Sequence, residues 1–139
     1  MKQFTLPKSE RLYLRESISE LFAKGKSFSA FPYRVVYLVK EENSAAEGEH
    51  AEAPSPRQAR CAVMAVAPKK RFKHAVDRNH VKRLTREAYR LQKLPLIAAL
   101  EEKGLTLEAA FVYADNKFIT YDETYRIIGR SIGKIIKAL

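Results

Sequence analysis

Between Lys69 and Lys93 the chain reads KKRFKHAVDRNHVKRLTREAYRLQK, a run of side chains suited above all to holding phosphate. Residues 57–93 carry twelve Lys and Arg against Asp77 and Glu87, which is the entire +10 net charge of the 139-residue chain, and the remainder balances at fourteen bases and fourteen acids. A basic excess confined to one segment makes a directed positive field that attracts a polyanion, and nucleic acid is the leading candidate. At about 100° per residue the run separates, from about Arg78 onward, into two faces. Val81, Leu84, Ala88 and Leu91 form an apolar stripe, while Arg78, Lys82, Arg86 and Lys93 gather opposite with Tyr89 among them and Arg83 and Arg90 at the flanks. Positions 78, 82, 86 and 90 place like charges four apart, which destabilises a helix unless an anion neutralises it. A merely solvated face would mix acids and bases instead.

Other chemistries find little material. His74 and His80, with Lys73 nearby, are types that can cleave RNA by general acid–base catalysis, but no carboxylate stands beside them to orient either ring. The lone Cys61 cannot form an internal disulfide, and three histidines give no Cys/His cluster at zinc spacing. The N-terminus lacks the apolar stretch of a secretory signal, no apolar run is long enough to span a bilayer, and the basic helix has few large apolar side chains on its outer face. These features lead to the expectation of a cytoplasmic protein without a membrane partner.

The length suits one domain spanning 1–139. Ile18, Leu21 and Phe22 predict a short helix over 15–24, stopped by Gly25. Tyr33 to Lys40 reads as a strand with Tyr33, Val35, Tyr37 and Val39 on one face and Arg34, Val36 and Leu38 on the other. The stretch 41–58, with five Glu and no apolar period, reads as a mobile acidic loop. A second strand over 59–67 ends at Pro68, and its closeness in sequence predicts antiparallel pairing with the first. After the basic helix come a third strand over 107–114 and a last helix opened by Thr120 as N-cap with Glu123 completing a capping box. Ile128, Ile132, Ile135 and Leu139 are that helix's buried stripe, and Gly129 and Gly133 predict close packing on a sheet. The order helix-strand-strand-helix-strand-helix describes an α+β fold, a two-layer α/β sandwich on a small mixed sheet.

Lys69-Lys70, Ala75-Val76, Arg78-Asn79, Lys82-Arg83 and Arg86-Glu87 together resemble the signature of the bacterial ribonuclease P protein component. The resemblance extends to Phe4-Thr5-Leu6-Pro7-Lys8 and Glu10-Arg11-Leu12 near the N-terminus and to Leu21-Phe22 followed by Gly25. The acidic loop is an insertion relative to shorter members, and Ile18 stands where many relatives have an aromatic residue.

The resemblance implies a small basic protein that binds a catalytic RNA and helps it remove the 5′ leader of precursor tRNA, the RNA carrying out the hydrolysis with bound Mg²⁺. It implies a left-handed crossover by the helix after the second or third strand, against the usual right-handed rule, and no obligate protein partner is evident. Lys69, Lys70, Arg78, Asn79, Lys82, Arg83, Arg86 and Arg90 are the candidate contacts to the catalytic RNA. Asn79 either touches RNA, including through a hydrated Mg²⁺, or caps a helix. Phe22, Tyr33 and Tyr37 are candidates for stacking on the single-stranded leader, with core packing as the competing role, favoured for Phe22. The charge map alone also admits a structural or ribosome-associated RNA-binding protein.

Overall fold

The computed structural model describes residues 15–41 and 61–139. The family-like N-terminal motifs, the acidic stretch beyond Glu41, and Arg57 and Arg60 lie outside the described residues.

Helix α1 spans Arg15–Lys24. The Gly25 N–H closes it by bonding to the Leu21 carbonyl at 2.8 Å. A Cβ at position 25 would stand 2.5 Å from the Leu21 carbonyl oxygen and 2.8 Å from that of Tyr37, so only glycine lets the chain turn this tightly against the sheet. Strands β1 (Lys26–Ala30) and β2 (Tyr33–Glu41) form an antiparallel hairpin through the cis Phe31-Pro32 bond. Strand β1 was not expected from the sequence, because KSFSA has one large apolar side chain and no alternation to read. It forms as an edge strand through ladder hydrogen bonds to β2.

Strand β3 (Cys61–Val66) is followed by α2 (Ala75–Gln92), α3 (Leu94–Lys103), β4 (Leu105–Tyr113) and α4 (Tyr121–Ala138). The sheet order is β1-β2-β4-β3, with β2 antiparallel and β3 parallel to β4. The expected antiparallel pairing of the strands over 33–40 and 59–67 is therefore corrected. β4 buries residues on both faces, Leu107, Ala109, Phe111 and Tyr113 on one and Ala110 on the other, so the centre of the sheet is its favourable place. Reaching that place from β3 requires a crossover through α2 and α3, which makes the two strands parallel. Helix α3 also went unread, although Pro95 opens it and Gly104, in the left-handed region at φ 68°, ends it.

One face of the sheet packs on α2, α3 and α4, where Tyr33, Val35, Val63 and Phe111 meet Val81, Ala88, Leu96, Ile128 and Ile135. That is the two-layer sandwich. Helix α1 lies on the opposite face, with Leu21 seated against Val36 and Ala110. Helix α4 begins with the expected capping box: the Glu123 N–H donates to Thr120 Oγ1 at 3.1 Å, and the Thr120 N–H donates to Glu123 Oε1 at 3.2 Å. Gly129 makes its close approach to a helix rather than to the sheet. A Cβ there would meet Gln92 Oε1 of α2 at 2.3 Å, whereas one at Gly133 would meet nothing within 4 Å.

Candidate nucleic-acid interface

Helix α2 is held between the sheet and α4, and this position decides which of its side chains face out. Val81, Thr85, Ala88 and Tyr89 are buried, while Leu91 is exposed. Tyr89, at 0% exposure, and Lys93, at 2%, leave the basic face on which the wheel had placed them. The core of α2 is rotated toward Tyr89 because two partners, sheet and α4, cover a wider arc than a single apolar stripe suggests. Thr85 enters this core by satisfying its own hydroxyl: Thr85 Oγ1 donates to the Val81 carbonyl at 2.8 Å and accepts from the Tyr33 hydroxyl at 2.6 Å.

The outward arc carries Asn79, Lys82, Arg83 and Arg86, which at about 100° per residue fall within roughly 100° of one another. Among the described residues Lys82, Arg83 and Arg86 make no ion pair. Arg90 differs, since its guanidinium grips Glu87 through Nε to Oε1 at 3.2 Å and through Nη2 to Oε2. The Arg90 hydrogen bond holds the Glu87 carboxyl below the usual carboxylate range, and Glu87 in turn raises Arg90. Arg78 reaches backward: Nη1 donates to the carbonyls of Phe72 at 2.9 Å and Lys73 at 3.0 Å. It thereby clamps the turn that presents Lys69 and Lys70, both exposed, beside the first turn of α2.

His74 is the N-cap, with an extended backbone (φ −95°, ψ 136°) and no side-chain capping bond. Asn79 is consequently the fifth residue of the helix, past the capping positions, so the capping alternative is excluded and its exposed amide is open to a ligand. His80 lies edge-on to Phe118 at 5.3 Å between ring centroids. The described residues contain no group of three or more His, Cys, Asp or Glu able to hold a metal ion. No described helix is long and apolar enough to cross a membrane.

The candidate leader residues are not brought together. Tyr33, at 2% exposure, is sealed in the core by Thr85 and by edge-on contacts with Tyr113 at 5.1 Å and Phe111 at 6.5 Å, which removes it as a stacking residue. Burial raises the pKa of its hydroxyl. Tyr37 is half-buried on the same sheet face, tilted against Phe28 at 6.0 Å. Phe22, at 48% exposure, belongs to α1 on the other face. The alternation of β2 does place exposed Arg34 on the α1 face, together with half-buried Ala62, Met64 and Val112. The sequence shows that alternation but not which face α1 covers, so Arg34 was missed. Helix α1 is tied to this face by Lys40, whose ammonium stands 2.7 Å from Glu20 Oε1 and 3.8 Å from Glu108 Oε1.

A helix-on-sheet sandwich whose long helix carries Lys82, Arg83 and Arg86 without acidic partners among the described residues belongs to the class of small α+β proteins with a concentrated basic surface. Residues 6–118 match the family model described as Ribonuclease P. The ribonuclease P protein component of Porphyromonas gingivalis is 38% identical over 132 residues, covering 95% of this chain and 87% of that protein. That of Chlorobium phaeobacteroides is 32% identical over 119 residues, covering 78% and 71% respectively. The chain belongs to the ribonuclease P protein family, as a protein subunit of that ribonucleoprotein. Its fold is shared with the RNase P protein of Staphylococcus aureus (TM-score 0.62, 18% identity, 94% of this chain and 97% of that one). It is shared also with that of Thermotoga maritima (TM-score 0.52, 19% identity, 94% of each chain).

Proposed function

We propose that the exposed basic face of α2 binds the phosphate backbone of the catalytic ribonuclease P RNA, and that the assembled particle removes the 5′ leader of precursor tRNA. The observation that carries this reading is the set of Lys82, Arg83 and Arg86, left without acidic partners among the described residues, in a helix whose Arg90 is paired with Glu87. Phosphate contacts of this kind supply affinity through counterion release and fix the protein's position without reading base sequence. Lys69 and Lys70 extend the same surface, and Asn79 supplies a donor and an acceptor for a sugar hydroxyl or a hydrated ion. In this reading Mg²⁺ is bound mainly by RNA, the protein alone is inactive, and the particle works in the cytoplasm.

The leader is assigned to the α1 face of the sheet, with Phe22 as a stacking ring and Arg34 as a phosphate contact beside the half-buried Met64 and Val112. Stacking tolerates any base, which suits substrates with varied leaders. The deciding experiment compares precursor tRNA cleavage by the catalytic RNA with and without protein, at low and high Mg²⁺. Stimulation at low Mg²⁺, with no cleavage by protein alone, is the expected result. Tight RNA binding without any effect on cleavage would favour the structural alternative. Cleavage by the RNA-free protein, lost on replacing His74 and His80, would favour the nuclease alternative.

A further inference from the structure

Phe118 lies in the connection from β4 to α4, and 49% of it is exposed. It is not a loosely hanging side chain. Its ring is parallel to that of Phe72 within 10° at 5.1 Å between centroids, and Phe72 is itself buried and tilted against Tyr113 at 5.7 Å. His80 of α2 meets Phe118 at 86° and 5.3 Å, so two rings fix its plane. The backbone beneath is held as well: the Tyr113 hydroxyl donates to the Lys117 carbonyl at 2.5 Å, and Arg71 Nη1 donates to Asn116 Oδ1 at 3.4 Å. That last bond brings the Lys69–Lys73 turn alongside the segment carrying Phe118.

An aromatic ring of fixed plane, half open to solvent and bordered by cations, has the features of a site for a nucleobase with flanking phosphates. The cations here are the exposed Lys117, next to Phe118 in the chain, and Arg71, bonded to Asn116; the exposed Lys69 and Lys70 lie in the same turn as Arg71. We propose that Phe118, backed by Phe72 and His80, is the stacking platform for one unpaired base of the catalytic RNA. The proposal rests on α2 being the face that meets that RNA. Its choice of RNA over leader follows from placement, because His80 and the Lys69–Lys73 turn belong to the basic end of α2, and Phe72 packs into the core on the helix side of the sheet, opposite α1. The simpler role for Phe118 is to cover the small cavity lined by Tyr33, Val81, Leu84 and Thr124. A leucine serves that role but offers no aromatic face.

The chain contains no tryptophan, so Phe118→Trp installs a single fluorophore at the platform. Titrating this variant with the catalytic RNA should quench its emission at saturation while affinity stays within about twofold of wild type, consistent with sequence-tolerant base stacking. Phe118→Leu should lower affinity by roughly 5- to 100-fold, in line with the loss of one stacked base, and leave the slope of log affinity against log salt unchanged. Unchanged tryptophan emission at saturation overturns the proposal, as does a folded Phe118→Leu variant that binds like wild type. Quenching by precursor tRNA but not by the catalytic RNA also overturns it, moving the site to the substrate. Failure of the wild-type protein to bind the catalytic RNA is a separate result, which removes the subunit reading and this proposal with it. If Phe118→Leu does not fold, the tryptophan titration alone decides.

Discussion

Not every base on α2 should contribute equally to RNA binding, and the ion pairing visible in the structure says which ones count. Lys82, Arg83 and Arg86 have no acidic partner among the described residues, whereas Arg90 is already neutralised by Glu87. Replacing Lys82, Arg83 and Arg86 together with Gln should make the dependence of log affinity on log salt shallower by about 2.1 to 2.7, at roughly 0.7 to 0.9 per phosphate contact. Between 50 and 200 mM salt the wild type would then lose about 20- to 40-fold more affinity than the triple variant. Arg90→Gln should change the slope by well under one contact. Glu87→Gln should release Arg90, steepen the slope by up to about 0.9 and tighten binding at low salt. The triple variant should also melt slightly higher than wild type, because the repulsion between Lys82 and Arg86, four residues apart, costs about 0.2 to 0.5 kcal/mol. Binding isotherms at four or more salt concentrations, with calorimetric melting of the free proteins, measure both quantities. Equal slope changes for Arg90→Gln and Arg83→Gln, with Glu87→Gln silent, would show that the pair opens on RNA and would refute the inference from free-state pairing.

Three further outcomes follow from the packing. Tyr33→Phe should cost about 1 kcal/mol of stability through loss of one buried hydrogen bond, yet leave the preference for long-leader over mature tRNA intact, while Phe22→Ala should reduce that preference with little effect on stability; affinity against leader length, with melting curves, tests both. Gly133→Ala should raise the melting temperature by roughly 1.5 to 5 °C, near the 0.5 to 1 kcal/mol helix-propensity gain, because its Cβ meets nothing within 4 Å. Gly129→Ala should not, because its Cβ displaces Gln92 and the 2.8 Å bond from Gln92 Nε2 to the Tyr125 carbonyl. Burial raises the Glu108 pKa despite Lys40, so ionising its carboxyl opposes folding once pH rises above the ordinary value of 4.5, and Glu108→Gln should stabilise the protein more above that pH than below it. A difference in melting temperature that shrinks with rising pH would contradict this assignment.

What the sequence revealed of the fold was whatever rested on local periodicity and capping. The Arg15–Lys24 helix, the strand beginning at Tyr33 and the Thr120–Glu123 box are local features, and each is present. Strand β1 was invisible because its stability comes from its ladder with β2 and not from its own side chains. The place of β4 between β2 and β3 is likewise non-local. No periodicity shows that a strand late in the chain will enter the sheet centre, although the apolar run of Ala109, Ala110 and Phe111, buried on both faces, is the trace such a strand leaves.

The site divides along the same line. The charge of α2 was legible because net charge and four-residue spacing belong to the segment itself, and Lys82, Arg83 and Arg86 do face outward. Tyr33 and Tyr89 were misplaced because an aromatic ring carrying a hydroxyl suits a wet surface and a core equally well until its partner is known. For Tyr33 the partner is Thr85, fifty-two residues away, which accepts its hydrogen bond inside the core. Thr85 stands between Lys82 and Arg86 in sequence, a small polar residue where the wheel leaves the basic face. Its two hydrogen bonds let that polar residue sit in the core, so the arc covered by the sheet and α4 can extend to Tyr89 while Tyr33 is held inside and Arg83 is left exposed.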